Sequence, residues 1–208
     1  MRRTTLMLAA VLGCIAGATP VGAAPVVYTF QGVGNGSLGG SAFNNAAFTI
    51  TVDSDTNLVT PFSFVNNGFT NNGFSISPSP ARIDVTGFGT ASFTGGEKVF
   101  VNNSTVVLGF QPPSNSDFLD LNHPTFATYD LKSSTGPLAV TTDLRFGNQF
   151  VNVATSAGLL NLSGLQPNVT FQARVVPEPT GVALLGLGVL GMLGLGRVAR
   201  SRGPFAGC

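Results

Sequence analysis

Residues 48–53 read FTITVD, with Phe48, Ile50 and Val52 alternating with Thr49, Thr51 and Asp53. A period of two puts the three apolar side chains on one face of an extended chain and the three polar ones on the other, the signature of a half-buried strand. Phe, Ile, Val and Thr also pack well on a pleated surface. Moving outward, comparable runs recur at 26–31, 58–65, 82–93, 98–101, 105–110, 126–131, 140–146 and 169–175, punctuated by Gly, Asn and Pro. No stretch between them carries apolar residues at helical spacing. The expected fold is all-β: two packed antiparallel sheets, a β-sandwich or jelly roll. Residues 64–74, FVNNGFTNNGF, contain Asn-Asn-Gly-Phe twice. Asn-Gly favours tight two-residue turns, so this stretch is expected to form a loop or hairpin with a local duplication. It is too short for a solenoid repeat.

Both ends of the chain look like processing segments. Arg2 and Arg3 precede an apolar run at 6–15, and Val21-Gly22-Ala23 supplies small residues at a cleavage site, so 1–23 is expected to be a signal peptide. Signal peptidase would then cut between Ala23 and Ala24. A cut after Ala24 would leave Pro25, with its fixed φ and missing N–H, directly past the scissile bond. Val11-Leu12-Gly13-Cys14 offers a lipobox-like alternative, with a very short apolar region ahead of the cysteine.

At the other end, residues 180–196 are uncharged and mostly apolar. As a helix they would be about 25 Å long, just enough to cross a bilayer. Arg197, Arg200 and Arg202 follow, which would hold this end in the cytoplasm and leave the rest of the chain outside. Pro177-Glu178-Pro179, the Gly/Leu-rich span and the arginine cluster together resemble a PEP-CTERM sorting signal, here 176–203. The resemblance implies recognition by an exosortase, cleavage near Pro177-Glu178-Pro179, and display or release by a Gram-negative bacterium that makes exopolysaccharide or biofilm. GPFAGC, after the arginines, extends past the usual end of such signals. An ordinary single-pass C-terminal anchor is the alternative, because hydropathy alone does not separate a permanent span from one later removed.

Between the ends, residues 24–175 are expected to be the exported β-sandwich domain. From Ala24 to Glu178 there are five basic and nine acidic residues, a net charge of −4. This weakly acidic balance, without clustered Lys and Arg, argues against a nucleic-acid partner. Cys14 and Cys208 both fall outside this region, so packing rather than a disulfide must hold it together.

Two clusters could carry chemistry. Asp53, Asp55 and Asn57 have the one-three-five oxygen spacing that opens a calcium loop, but Leu58 and Phe64 stand where Gly and Glu are required. A hairpin turn explains them better, leaving only a weak metal site. Asp117, Asp120 and His123 lie close together in SDFLDLNHP, where a polar loop with a solvated histidine is the simpler reading. No cofactor motif or nucleophile elbow occurs. The expectation is therefore an exported, non-enzymatic surface or matrix protein. The alternative is a carbohydrate-binding module, possibly calcium-dependent and in contact with extracellular polysaccharide. Against it stand the absence of Trp and the presence of only two tyrosines, Tyr28 and Tyr129. Phe in alternating strands is expected in the core.

Overall fold

The FTITVD stretch lies inside strand β2, Ser41–Asp55, which pairs antiparallel with β1, Pro25–Leu38, on one side and β5, Ala81–Val85, on the other. Phe48, Ile50 and Val52 are buried, and the intervening Thr49, Thr51 and Asp53 are partly exposed, as the period of two requires. The computed structural model describes residues 23–111, 119–142 and 151–176. Its other strands are β3 (Val59–Asn66), β4 (Phe69–Ser79), β6 (Gly89–Ser92), β7 (Glu97–Asn102), β8 (Val107–Gln111), β9 (Leu119–Asn122), β10 (Thr135–Thr142), β11 (Val153–Thr155), β12 (Gly158–Ser163) and β13 (Asn168–Val175).

These strands form one antiparallel ladder in the order β3-β4-β7-β8-β9-β10-β13-β1-β2-β5-β6. β1 branches: Val26 to Gln31 pair with β13, while Asn35 to Leu38 pair with β12, which in turn pairs with β11. A flat sheet would hold strands four steps apart about 19 Å from each other. Yet the rings of Phe30 on β1 and Phe110 on β8, four steps apart, have centroids 6.0 Å apart, and Phe93, just past β6 at the far end, meets Phe110 at 5.1 Å. The ladder therefore folds back over a single apolar core. The architecture is all-β, antiparallel and sandwich-like.

Several expected elements differ. Residues 126–131 do not form a strand: Pro124–Ala127 is a 3-10 turn, and Leu131 has a φ of 61°, incompatible with extended chain. Pro124 presets the turn, and buried Phe126, Tyr129 and Leu131 cover the core, with Phe126 edge-on to Phe171 at 5.7 Å. Asp53 to Asn57 do not make a hairpin turn. A 3-10 turn, Thr56–Leu58, links β2 to β3, and these two strands are not ladder neighbours. The expected strand at 82–93 is the β5–β6 hairpin, split by a turn at 86–88. β9, β11 and β12 were not expected at all. The proposed signal peptide up to Gly22, the span at 180–196, and the sorting residues Pro177, Glu178, Pro179, Arg197, Arg200 and Arg202 lie outside the described residues. Among the described residues no helix is long and apolar enough to cross a membrane.

Candidate binding groove

The duplicated Asn-Asn-Gly-Phe motif builds one wall of the groove. Its first copy makes the β3–β4 turn: Asn67 and Gly68 take φ values of 50° and 81°, the left-handed pair that a two-residue hairpin needs, and Asn66 faces Phe69 across it. The second copy does not turn. Asn71 to Phe74 stay in β4, paired with β3 on one side and, at Gly73 and Phe74, with β7 on the other.

Along β3, β4, β7, β8 and β9, alternate residues point into the core. Ile76, Val99, Val101, Leu108, Leu119 and Leu121 are among these, and all are buried. The residues between them line an open groove of about 670 Å³ on the opposite face of the sheet. That volume falls within the range of about 300–1,000 Å³ typical of ligand clefts. Three phenyl rings belong to its lining. Phe62 and Phe64 on β3 stack with centroids 5.9 Å apart and planes inclined by 28°. Phe100 comes from β7.

Glycines on neighbouring strands make room for these rings. A Cβ added to Gly73 would stand 2.8 Å from the Phe62 ring, and one added to Gly109 would collide with the Phe100 ring and stand 2.7 Å from Asp120 Oδ1. Each ring thus lies across a glycine, and at Gly73 the Val101 carbonyl of β7, nearer still than the ring, also leaves no room for a side chain.

The polar lining is oriented by the protein itself. Asn102 Nδ2 donates to Asn71 Oδ1 at 3.0 Å, and Asn71 Nδ2 donates to the Phe69 carbonyl at 3.2 Å. Asn102 Oδ1 also accepts from the backbone N–H groups of Ser104 and Thr105, which fixes the turn after β7. Lys98 brings its ammonium to 5.7 Å from the centre of the Phe100 ring. Asp120 is buried against Gly109. The lining thus carries one positive and one negative group among amides, hydroxyls and phenyl rings.

Behind the groove, on the core side of β7, Glu97 is only 1 % exposed. Burial pushes its carboxyl pKa up from the ordinary 4.5, against the downward pull of backbone hydrogen bonds including one from Gly95 N–H at 3.3 Å. Its Oε2 has no hydrogen-bond partner. Burial likewise raises the pKa of Tyr28 and Tyr129, whose hydroxyls donate to the carbonyls of Leu131 and Ser133.

The residues singled out in the sequence do not gather into one site. Asp53 pairs with Arg82 at 2.6 Å, a half-exposed ion pair, and Asp55 Oδ1 accepts the Asn57 backbone N–H at 2.8 Å as the cap of the 3-10 turn. The Asp53 carboxylate is thus committed to a guanidinium. Among the described residues no three His, Cys, Asp or Glu side chains stand close enough together to hold a metal. His123 Nδ1 accepts the Thr125 N–H at 3.2 Å and caps the second 3-10 turn, while Asp120 belongs to the groove. Asp117 lies outside the described residues.

Tyr28 and Tyr129 are buried, and the exposed aromatics are phenylalanines. This departs from the expectation that Phe belongs to the core, though the sequence held a signal for it. Val59 faces inward, so Phe62 and Phe64, an odd number of residues away, must face outward. No family model, curated protein or solved structure matches this chain.

Proposed function

We infer that this chain is an exported, non-enzymatic binding protein of the cell surface or extracellular matrix, trimmed at both ends, with a β-sandwich or jelly-roll domain that presents its groove outward. The observation that carries this reading is the groove. Its polar side chains are chiefly amides and hydroxyls, which hold ligands by hydrogen bonds and have no proton to transfer at neutral pH. The export half of the reading draws on the ends of the sequence and on how the domain meets them. The Ala24 N–H donates to Thr56 Oγ1 at 3.1 Å, and the Val176 N–H donates to the Pro25 carbonyl at 2.8 Å. An α-amino group created by cutting after Ala23 would keep the bond to Thr56. Strands β1 and β13, which adjoin the two proposed junctions in sequence, pair side by side. A carbohydrate-binding module is the second reading, favoured by the phenyl rings of the groove, Phe64 half exposed and Phe62 and Phe100 partly so.

Replacing Pro177, Glu178 and Pro179 with Ala tests the sorting step. In cells that contain the exosortase, the triple variant should accumulate uncut in the inner membrane, held by the span and its flanking arginines. Wild type should reach the surface or medium, starting at Ala24 and lacking Gly203 to Cys208 by peptide mapping. Recovery of those last residues from mature wild-type protein would overturn the sorting reading and leave a membrane-anchored β domain.

A further inference from the structure

The groove's chemistry narrows what it holds. Its two charged groups, Lys98 and Asp120, are of opposite sign, so it presents no field that would select an ion. The chain from Ala24 to Glu178 carries a net charge of −4, which disfavours polyanions, most strongly at low salt. Amides and hydroxyls each offer both donors and acceptors, and so do the hydroxyls of a sugar. The phenyl rings supply what those hydroxyls do not. One face of a pyranose is a patch of C–H groups carrying slight positive charge, which suits the negative face of an aromatic ring.

The spacing fits an extended ligand. Phe62 on β3 and Phe100 on β7 are separated by one strand, β4, which places their backbones about 10 Å apart. Between them, Gly73 contributes no side chain, and the joined Asn71 and Asn102 amides flank it. We propose that this groove binds a neutral polysaccharide strand, with sugar rings stacked on Phe62, Phe64 and Phe100 and hydroxyls bonded to Ser75, Asn102 and Lys98, while buried Asn71 orients the Asn102 amide. The proposal rests on reading the groove as the protein's working surface, and it names the ligand class.

A peptide is the poorer fit. Peptides recognised by sheets add to an edge through their backbone, whereas this surface is the face of the sheet, with its backbone groups already paired. The β3 edge beside it contains Pro61, which has no N–H to offer an added strand.

The test is affinity electrophoresis of the full-length protein in mild detergent. The gels would contain β-1,3-glucan, β-1,4-xylan, galactomannan or α-glucan as neutral polymers, with alginate and hyaluronan as acidic ones. At least one neutral polymer should retard the protein, and Phe64→Ala or Phe100→Ala should weaken that retention at least tenfold. Phe69→Ala is the control, because Phe69 is 76 % exposed and lies outside the groove lining; it should leave retention unchanged. Circular dichroism of each variant separates lost binding from lost fold. Retention by no neutral polymer, retention by the acidic polymers alone, or equal retention of wild type and folded groove variants would each overturn the proposal. Export and C-terminal trimming are scored separately, so a failure of the ligand class leaves the reading of a displayed protein standing.

Discussion

The β1–β2 pair and the β3–β4 hairpin are both long antiparallel ladders built from Phe, Val, Thr and Asn, yet they spend their aromatic residues in opposite ways. In the first, Tyr28, Phe30 and Phe48 are buried. In the second, Val59, Ile76 and partly covered Phe74 face the core, and beyond them the hairpin leaves Phe64 48 %, Val65 69 % and Phe69 76 % exposed. Position in the ladder accounts for the difference. β1 and β2 lie in its interior, with strands on both sides and the folded-back part of the sheet over their inner face, whereas β3 is an edge strand. Alternation decides which residues share a face. What the rest of the chain lays over that face decides whether it is core.

The comparison breaks most easily at Phe30. Its ring touches those of Phe110 and Phe171, so Phe30→Ala removes contacts from both sides of the fold and should cost about 3–5 kcal/mol, read as a lower urea midpoint. A loss below 1 kcal/mol would mean that the core is not closed as described.

Glu97 tests the strand that belongs to both surfaces. Its carboxyl pKa is raised in the fold, so the native state holds the proton more tightly than the unfolded chain does. The associated stability is present in full below the ordinary pKa of 4.5 and is lost as pH climbs through the higher native value. Glu97→Gln should remove that decline, leaving the variant more stable than wild type at pH 7, with the gap closing as pH falls below the ordinary value of 4.5. Chemical denaturation across pH 3.5 to 7.5 reads this directly; parallel curves for the two proteins would place the carboxyl in water.

The smallest effect belongs to the hairpin. Phe64→Ala should change stability by no more than about 0.5 kcal/mol, because the ring is half exposed and stacks mainly on Phe62. A large drop in melting temperature would make the hairpin part of the core after all.

The strands with strong alternation were legible in the sequence because their pattern survives without context: FTITVD is as plain in the chain as in the sheet. β9 and β11 were not, being four and three residues long, too short for any period to register. The stretch from Phe126 to Leu131 misled because its aromatics matched strand composition, while Pro124 had already started a turn. At the groove, parity from Val59 was enough to turn Phe62 and Phe64 outward. Phe100 meets Gly109 within the local hairpin of the consecutive strands β7 and β8, but nothing local joins Asn71 to Asn102. That neighbourhood follows from β7 pairing with β4 across two intervening strands, a long-range choice with no sequence marker.

The pairing of β1 with β13 has a consequence in time. A chain that emerges N-terminus first during synthesis delivers β1 and β2 early, and these can zip together at once. The other flank of β1 then stays unpaired until residues 158–175 arrive, because among the described residues its partners there are β12 and β13. Native closure thus waits for almost the last residue of the domain, and until then the apolar faces of β1 and β2 lack the strands that complete their side of the ladder.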